Sequence, residues 1–319
     1  MKNILYFLLI SFCLNAFAQK QDVVSAIMDF KDNDVVSAKK AIDNATFKIE
    51  SQNNKPLKPK RMSDYHHYKG QIYLALFEKM WFSDEIADFA LLEIASTSFL
   101  NDVSNSGANA KDSKIKLNRC AKLYQDAGYK KYETKEYASS ADKFSKAITI
   151  NTSPHINMVD TLNMFYASIT SFLAEDYEQA VSWSTKLVEI NPLDARYHMR
   201  LIESYEEYGD LDGQLTAIKN ARTSVPMSKD IILKEVNYYI SVGNNELLLE
   251  SLDNAVNSDP ENPVLHFVLG STYSGLGDFD KAKMSYKKTL SLDPNYVDAC
   301  NNLAAIFLDE ANLFIEKKN

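Results

Sequence analysis

The sequence is short of the residues that break chains into turns. Its 319 residues include only 9 glycines and 8 prolines, too few for the many tight turns of a sheet-rich fold of this length, so composition leans all-helical. Basic residues are in deficit. Lys and Arg total 35 against 43 Asp and Glu, a net charge of −8, and nucleic acid is disfavoured as the main partner because phosphate binding is driven by Lys and Arg. After residue 14 no apolar stretch reaches the roughly 20 residues that a bilayer core demands. Phosphate-cradling G-x-x-x-x-G-K-[ST], dinucleotide-binding G-x-G-x-x-G and nucleophile-bearing G-x-S-x-G runs are all missing, so nucleotide and serine-hydrolase chemistry lack a starting point. What remains, 45% hydrophobic, 24% charged and 11% aromatic, is a globular profile. It excludes a collagen-like fibre, a disordered tail and a multi-span membrane protein.

The first 18 residues read as an address. Met1-Lys2-Asn3 is a short basic start, Ile4 to Leu14 is an apolar run of 11 residues, and Asn15-Ala16-Phe17-Ala18 ends in an A-x-A cleavage pattern before Gln19. Eleven residues do not span a bilayer, so the segment predicts a signal peptide and a periplasmic or secreted, soluble, acidic mature chain. Cys13 follows Phe12, not the small residue that lipidation requires. Of the remaining cysteines, Cys120 and Cys300 lie 180 residues apart and are expected as two reduced, packed thiols.

A fixed period then dominates. Pro192, Pro226, Pro260 and Pro294 are separated by 34 residues each, and Gly209, Gly243 and Gly277 share the period, each 17 residues ahead of a proline. Such self-similarity marks a solenoid. Glycine supplies a left-handed residue for the turn between two helices, and proline stops the second helix because it cannot continue the hydrogen-bond ladder. Apolar residues recur between them at helical spacing: Leu201, Ile202 and Tyr205, then Leu215, Ile218 and Ala221. In the clearest copy, Pro263 to Tyr296, Gly270 is expected to let neighbouring helices approach closely, with Tyr273 filling the space beside it.

These residues resemble the tetratricopeptide repeat (TPR), with its W-x2-L-G-x2-Y run, A-x3-F and closing Pro. Copies fall near 121–154, 161–194, 195–228, 229–262 and 263–296, with 297–319 a capping helix or a truncated next repeat. The usual Trp at position 4 is instead Met164, His198, Ile232, His266 or Cys300, and Glu235 stands where position 7 usually has Leu. Upstream, residues 19–120 predict irregular TPR-like hairpins with loops at 51–61 and 101–112. A first helix begins near Ser63, and its partner runs from Asp84 to Leu100 after an insertion around Trp81. The resemblance implies an all-α fold, an α-solenoid of tandem helix-turn-helix repeats forming one right-handed superhelix and one domain.

Chemistry-bearing constellations are thin. His66 and His67 are adjacent on a predicted helix and diverge, so they cannot share a metal. Glu206-Glu207 diverge likewise by about 100°, and Lys58-Pro59-Lys60-Arg61 reads as a solvated basic loop. No catalytic residue, cofactor or metal ligand is assigned.

The resemblance implies a groove instead, lined by positions 2, 5, 9, 12 and 13 of each first helix, with candidates taken from positions 5, 9 and 12. Carried onto this chain these are Phe165, Ile169 and Phe172, then Met199, Glu203 and Glu206, then Leu233, Asn237 and Ile240, then Phe267 and Ser271. An apolar groove with an acidic stretch suits a protein or peptide segment carrying apolar anchors and some Lys or Arg. The carboxylate-clamp pattern fails, because Leu233 stands where a clamp needs Lys. The expected function is therefore a non-enzymatic scaffold or adaptor of the cell envelope. The alternatives are an envelope glycan-binding or glycan-processing protein, or a permanent subunit of an envelope complex docking through the apolar Leu313-Phe314-Ile315.

Overall fold

The computed structural model describes residues 20–51, 57–83, 85–226 and 228–316. The expected signal peptide, 1–18, lies outside the described residues. Among those described, every regular element is a helix. In chain order these are α1 (20–31), α2 (Val35–Glu50), α3 (Pro59–Trp81), α4 (Phe89–Ser104), α5 (Ala110–Glu133), α6 (Tyr137–Asn151) and α7 (Thr161–Leu173). There follow α8 (Tyr177–Ile190), α9 (Ala195–Tyr208), α10 (Leu211–Ser224), α11 (Lys229–Ser241), α12 (Asn245–Ser258), α13 (Pro263–Gly275), α14 (Phe279–Leu292) and α15 (Val297–Glu316).

The chain divides into two compact units, Met1–Ala174 and Glu175–Asn319. The reason lies in the packing. Each helix rests on its immediate neighbours, α2 on α3 through α6 on α7 in the first unit and α8 on α9 through α14 on α15 in the second. Among the described residues, longer ties join α3 to α5 and α9 to α11. The first unit buries Phe77, Leu92, Phe99, Leu117, Leu123 and Tyr124 in one cluster. In the second, Ile202, Ile218, Ala221, Ile231, Val236 and Leu252 form the main cluster.

Two sequence-based boundaries shift. The loop expected at 101–112 is mostly helix: α4 runs to Ser104 and α5 opens at Ala110. The polar run misled because Asp102 and Val103 are buried and the turn closes locally, Gly107 N–H donating to Asp102 O at 2.8 Å with Ser106 left-handed at φ 51°. The loop expected at 51–61 likewise ends early, since Pro59 opens α3, where its fixed φ suits a first helical turn. That helix therefore starts before Ser63, and its partner is α4, beginning at Phe89.

The periodic residues do mechanical work. Gly209, Gly243 and Gly277 have φ of 78°, 67° and 79°, and the residue after each caps the next helix. Asp210, Asn244 and Asp278 accept from the backbone N–H of Gly213, Leu247 and Lys281 at 2.9, 3.1 and 3.2 Å. In other hairpins the left-handed site is held by Asn33, Lys135 and Glu175 at φ 62°, 60° and 61°. The turn survives there without its glycine, so the period fades from the sequence while the geometry persists.

Gly270 does face a close neighbour, but not Tyr273. A Cβ at Gly270 would lie 2.8 Å from both Cδ1 and Cε1 of Tyr286, on the second helix of the hairpin. Gly128 faces Phe144 and Gly70 faces Phe99 in the same way. A side-chain-free site on one helix thus seats an aromatic ring from the next, and α-helical spacing alone does not say which ring.

Two departures from the repeat pattern are compensated. His198 and His266 are buried, and each donates Nε2–H to a proline carbonyl six residues earlier, Pro192 O and Pro260 O, both at 2.8 Å. They pack like the usual aromatic and also tie the linker between repeats. Glu235 pairs with Arg222 of α10 at 3.1 Å, both mostly shielded from solvent. Cys120 is buried as expected, and burial pushes its thiol up to about 12. Cys300, however, is exposed: α15 turns Ala299 and Ile306 toward α14 and leaves Cys300 outside that face.

Candidate protein-binding groove

Polar groups do gather in the first unit, and their geometry decides what they can do. Ser113, Asp102 and His67 are all buried. The Ser113 hydroxyl donates to Asp102 Oδ2 at 2.7 Å and accepts from His67 Nδ1–H at 2.8 Å. The Gln71 amide donates to His67 Nε2, which fits a neutral imidazole. Burial holds His67 below the ordinary histidine range, opposed by Asp112 and Asp102. The serine stands between acid and histidine and gives its proton straight to the carboxylate, so it is not activated as a nucleophile. The cluster ties α3 to α5 and the end of α4. Among the described residues no group of three His, Cys, Asp or Glu side chains is placed to hold a metal ion.

The groove positions are distributed as follows. None of the eleven side chains is fully buried. On α7, Phe165, Ile169 and Phe172 are half-buried. On α9, Met199 leans on the main core cluster of the second unit, while the acidic pair is balanced. Glu203 meets Arg200 at 3.2 Å, and Glu206 meets Lys234 of α11 at 2.7 Å. The acidic stretch is therefore partly neutralised from within, which composition along one helix does not reveal. Leu233 packs beside Ile232, Ala255 and Leu265, and Asn237 is exposed.

Three of the eleven do come together. Ile240, Phe267 and Ser271 line a pocket of about 410 Å³ formed by α11, α12 and α13. Its other walls are Asn245, Leu248, Val268, Thr272, Gly275 and Leu276. Ile240 and Leu276 remain 50% and 44% exposed at its mouth. Phe267, also in the lining, is held by Tyr286 and Tyr296 with ring centroids 5.9 and 4.9 Å away. The walls that groove positions miss have one sequence signal, the small residues Thr272 and Gly275 near the end of α13. They leave room that larger side chains would fill.

Residues 264–296 match the family model of the tetratricopeptide repeat. The protein is TPR-like. The matched segment covers α13 and α14, the hairpin that carries Phe267, Ser271 and the Gly270–Tyr286 contact. Similar solved structures include a thermophilic TPR protein of Thermus thermophilus. It is 21% identical, covering 59% of this chain and 99% of that one with a TM-score of 0.37. A MamA protein is 17% identical over 56% of this chain and 94% of its own, with a TM-score of 0.46. MamA from Desulfovibrio magneticus RS-1 is 17% identical over 55% and 96%, with a TM-score of 0.44. No curated protein matches the chain.

Proposed function

We propose that this protein is a non-enzymatic scaffold that binds a protein segment through the groove face of its second unit. The observation that carries the reading is the pocket joining Ile240, Phe267 and Ser271. It is apolar at Phe267 and the mouth, rimmed by the polar Asn245, Ser271 and Thr272, and wide enough for one large side chain. Ile240 and Leu276, left half in water, gain from being covered, and burying such a side chain fully contributes about 1.5–3 kcal/mol. Helical-hairpin repeats offer extended surfaces of this kind, which supports a protein partner. The pattern of residues 1–18 supports export, and the reading places the protein in the cell envelope or outside the cell. Among the described residues no helix is long and apolar enough to cross a membrane.

The test is affinity capture of the tagged protein from its native envelope beside the Ile240→Glu variant. Ile240 is half-exposed, so the change alters the pocket mouth without emptying the core. The expected result is a partner lost or strongly depleted with the variant. Identical partners with both proteins would refute the pocket as the binding site.

A further inference from the structure

Within the hairpins, most turns are short: 134–136 joins α5 to α6, and 276–278 joins α13 to α14. More of the chain separates α3, ending at Trp81, from α4, beginning at Phe89. A pocket of about 500 Å³ in the first unit is lined by Trp81, Ile86 and Phe89 together with Lys130, Lys131 and Lys143. Among the described residues its lining sets Glu85 beside three lysines, in a chain whose net charge is −8.

The lysines sit over aromatic faces. Lys130 Nζ is 5.2 Å from the Trp81 ring centre and Lys143 Nζ is 4.3 Å from that of Phe89. Cation and ring are thereby held side by side. Lys131 pairs with Glu136 at 2.5 Å and Lys143 with Asp142 at 2.8 Å, but both carboxylates are about half exposed at 48%. Exposed pairs of this kind contribute little, which describes the Lys131 pair, while the Lys143 side chain is only 11% exposed. Lys130 makes no ion pair within the described residues. Of the lining, Ile86 is 92% exposed; Phe82, outside it, is 68% exposed, and the Arg119 guanidinium lies 5.6 Å from the Phe82 ring centre. The apolar surface continues past the pocket mouth, farther than a small anion can cover.

We propose that this pocket binds an acidic protein segment. A carboxylate of that segment meets Lys130 and Lys143, and an adjacent aromatic or aliphatic side chain lies on Trp81, Phe89 and Ile86. The site shares no residue with the groove pocket of the second unit, so either proposal can fail alone.

Trp81 is one of two tryptophans, so Trp183→Phe leaves it as the sole indole reporter. The experiment titrates this full-length variant with three probes and follows Trp81 emission. The probes are acetyl-Glu-Asp-Glu-Phe-Asp-Leu-Glu-amide, its counterpart with every acid replaced by Lys, and phenylacetate. The expected result is a saturable shift with the acidic peptide, weakened about tenfold by Lys130→Glu, the loss of one charged contact. Lys130 is exposed, and circular dichroism checks that its replacement leaves the fold intact. Equal binding of the basic peptide, equal binding to the Lys130→Glu protein, or no response to the acidic peptide overturns the proposal. Phenylacetate binding as tightly as the peptide also overturns it, in favour of a small-anion site.

Discussion

Gly270→Ala tests the packing argument most sharply, because two effects of opposite sign meet at one atom. Replacing glycine by alanine inside a helix gains about 1 kcal/mol of helix propensity. Here the new methyl would stand 2.8 Å from two carbons of Tyr286, against a comfortable carbon–carbon separation of about 3.5–4.0 Å. Tyr286 cannot simply withdraw. Its ring is 1% exposed, its hydroxyl donates to Ser271 Oγ at 3.2 Å, and Asn302 Nδ2 donates to it at 3.3 Å. Overpacking in such a site costs about 1–3 kcal/mol, so the net expectation is a loss of about 1 kcal/mol, the difference of the two terms. In a Tyr286→Ala background the clash is gone and the propensity gain remains, so the same change becomes neutral or stabilising. The assay is urea unfolding followed by far-UV circular dichroism on all four proteins of the cycle, with an expected coupling of about 1 kcal/mol or more. If Gly270→Ala stabilises the unmodified chain, or if the two changes are additive, the close approach of Gly270 and Tyr286 is not a determinant of this hairpin.

Other expectations follow from the same structure. Glu175→Gly, at a left-handed site occupied by a residue with a Cβ, should raise stability by about 0.5–1 kcal/mol in urea unfolding, the strain relieved less the entropy glycine adds to the unfolded chain. A loss would show that Glu175 supplies something besides the turn. In a chain beginning at Gln19, a thiol-specific reagent should label Cys300 in the folded protein and Cys120 only after unfolding, and equal rates would contradict the burial of Cys120. His66 and His67 both titrate below the ordinary histidine range, chiefly because burial penalises the imidazolium. Their folded values lie below the unfolded value of about 6.5, so the unfolded state binds more protons in between. Their contribution to stability is complete above that value and is lost as pH falls toward the folded ones. Unfolding curves between neutral and mildly acidic pH should show this loss, with a shallower slope in His67→Gln. An unchanged slope would mean that His67 is not held neutral.

The candidate groove was partly legible and partly not, for physical reasons. Ile240, Phe267 and Ser271 share one pocket because their repeat positions fall on helix faces that neighbouring repeats bring together. Glu203 and Glu206 read as an acidic surface in the sequence. The structure pairs them with Arg200 and Lys234, and only the stacking of α11 on α9 supplies the second partner. The buried link from His67 through Ser113 to Asp102 joins residues up to 46 positions apart, beyond anything local spacing can register. The basic pocket beside Trp81 depends on α5 and α6 lysines meeting the end of α3, and no motif announces it.

Periodicity by itself determined that this chain is helical and repetitive. A glycine that must be left-handed, a capping Asp or Asn after it and a proline that ends the second helix are local requirements, and local requirements are written in the sequence. Where those residues are replaced, as at Lys135 and Glu175, the signal vanishes although the turn remains, because packing on both sides of the turn outweighs one strained residue. Tertiary structure alone decided which ring fills which gap, which charges cancel, and where the stack divides. Those outcomes depend on distances between helices, and a sequence fixes such distances only through every contact at once.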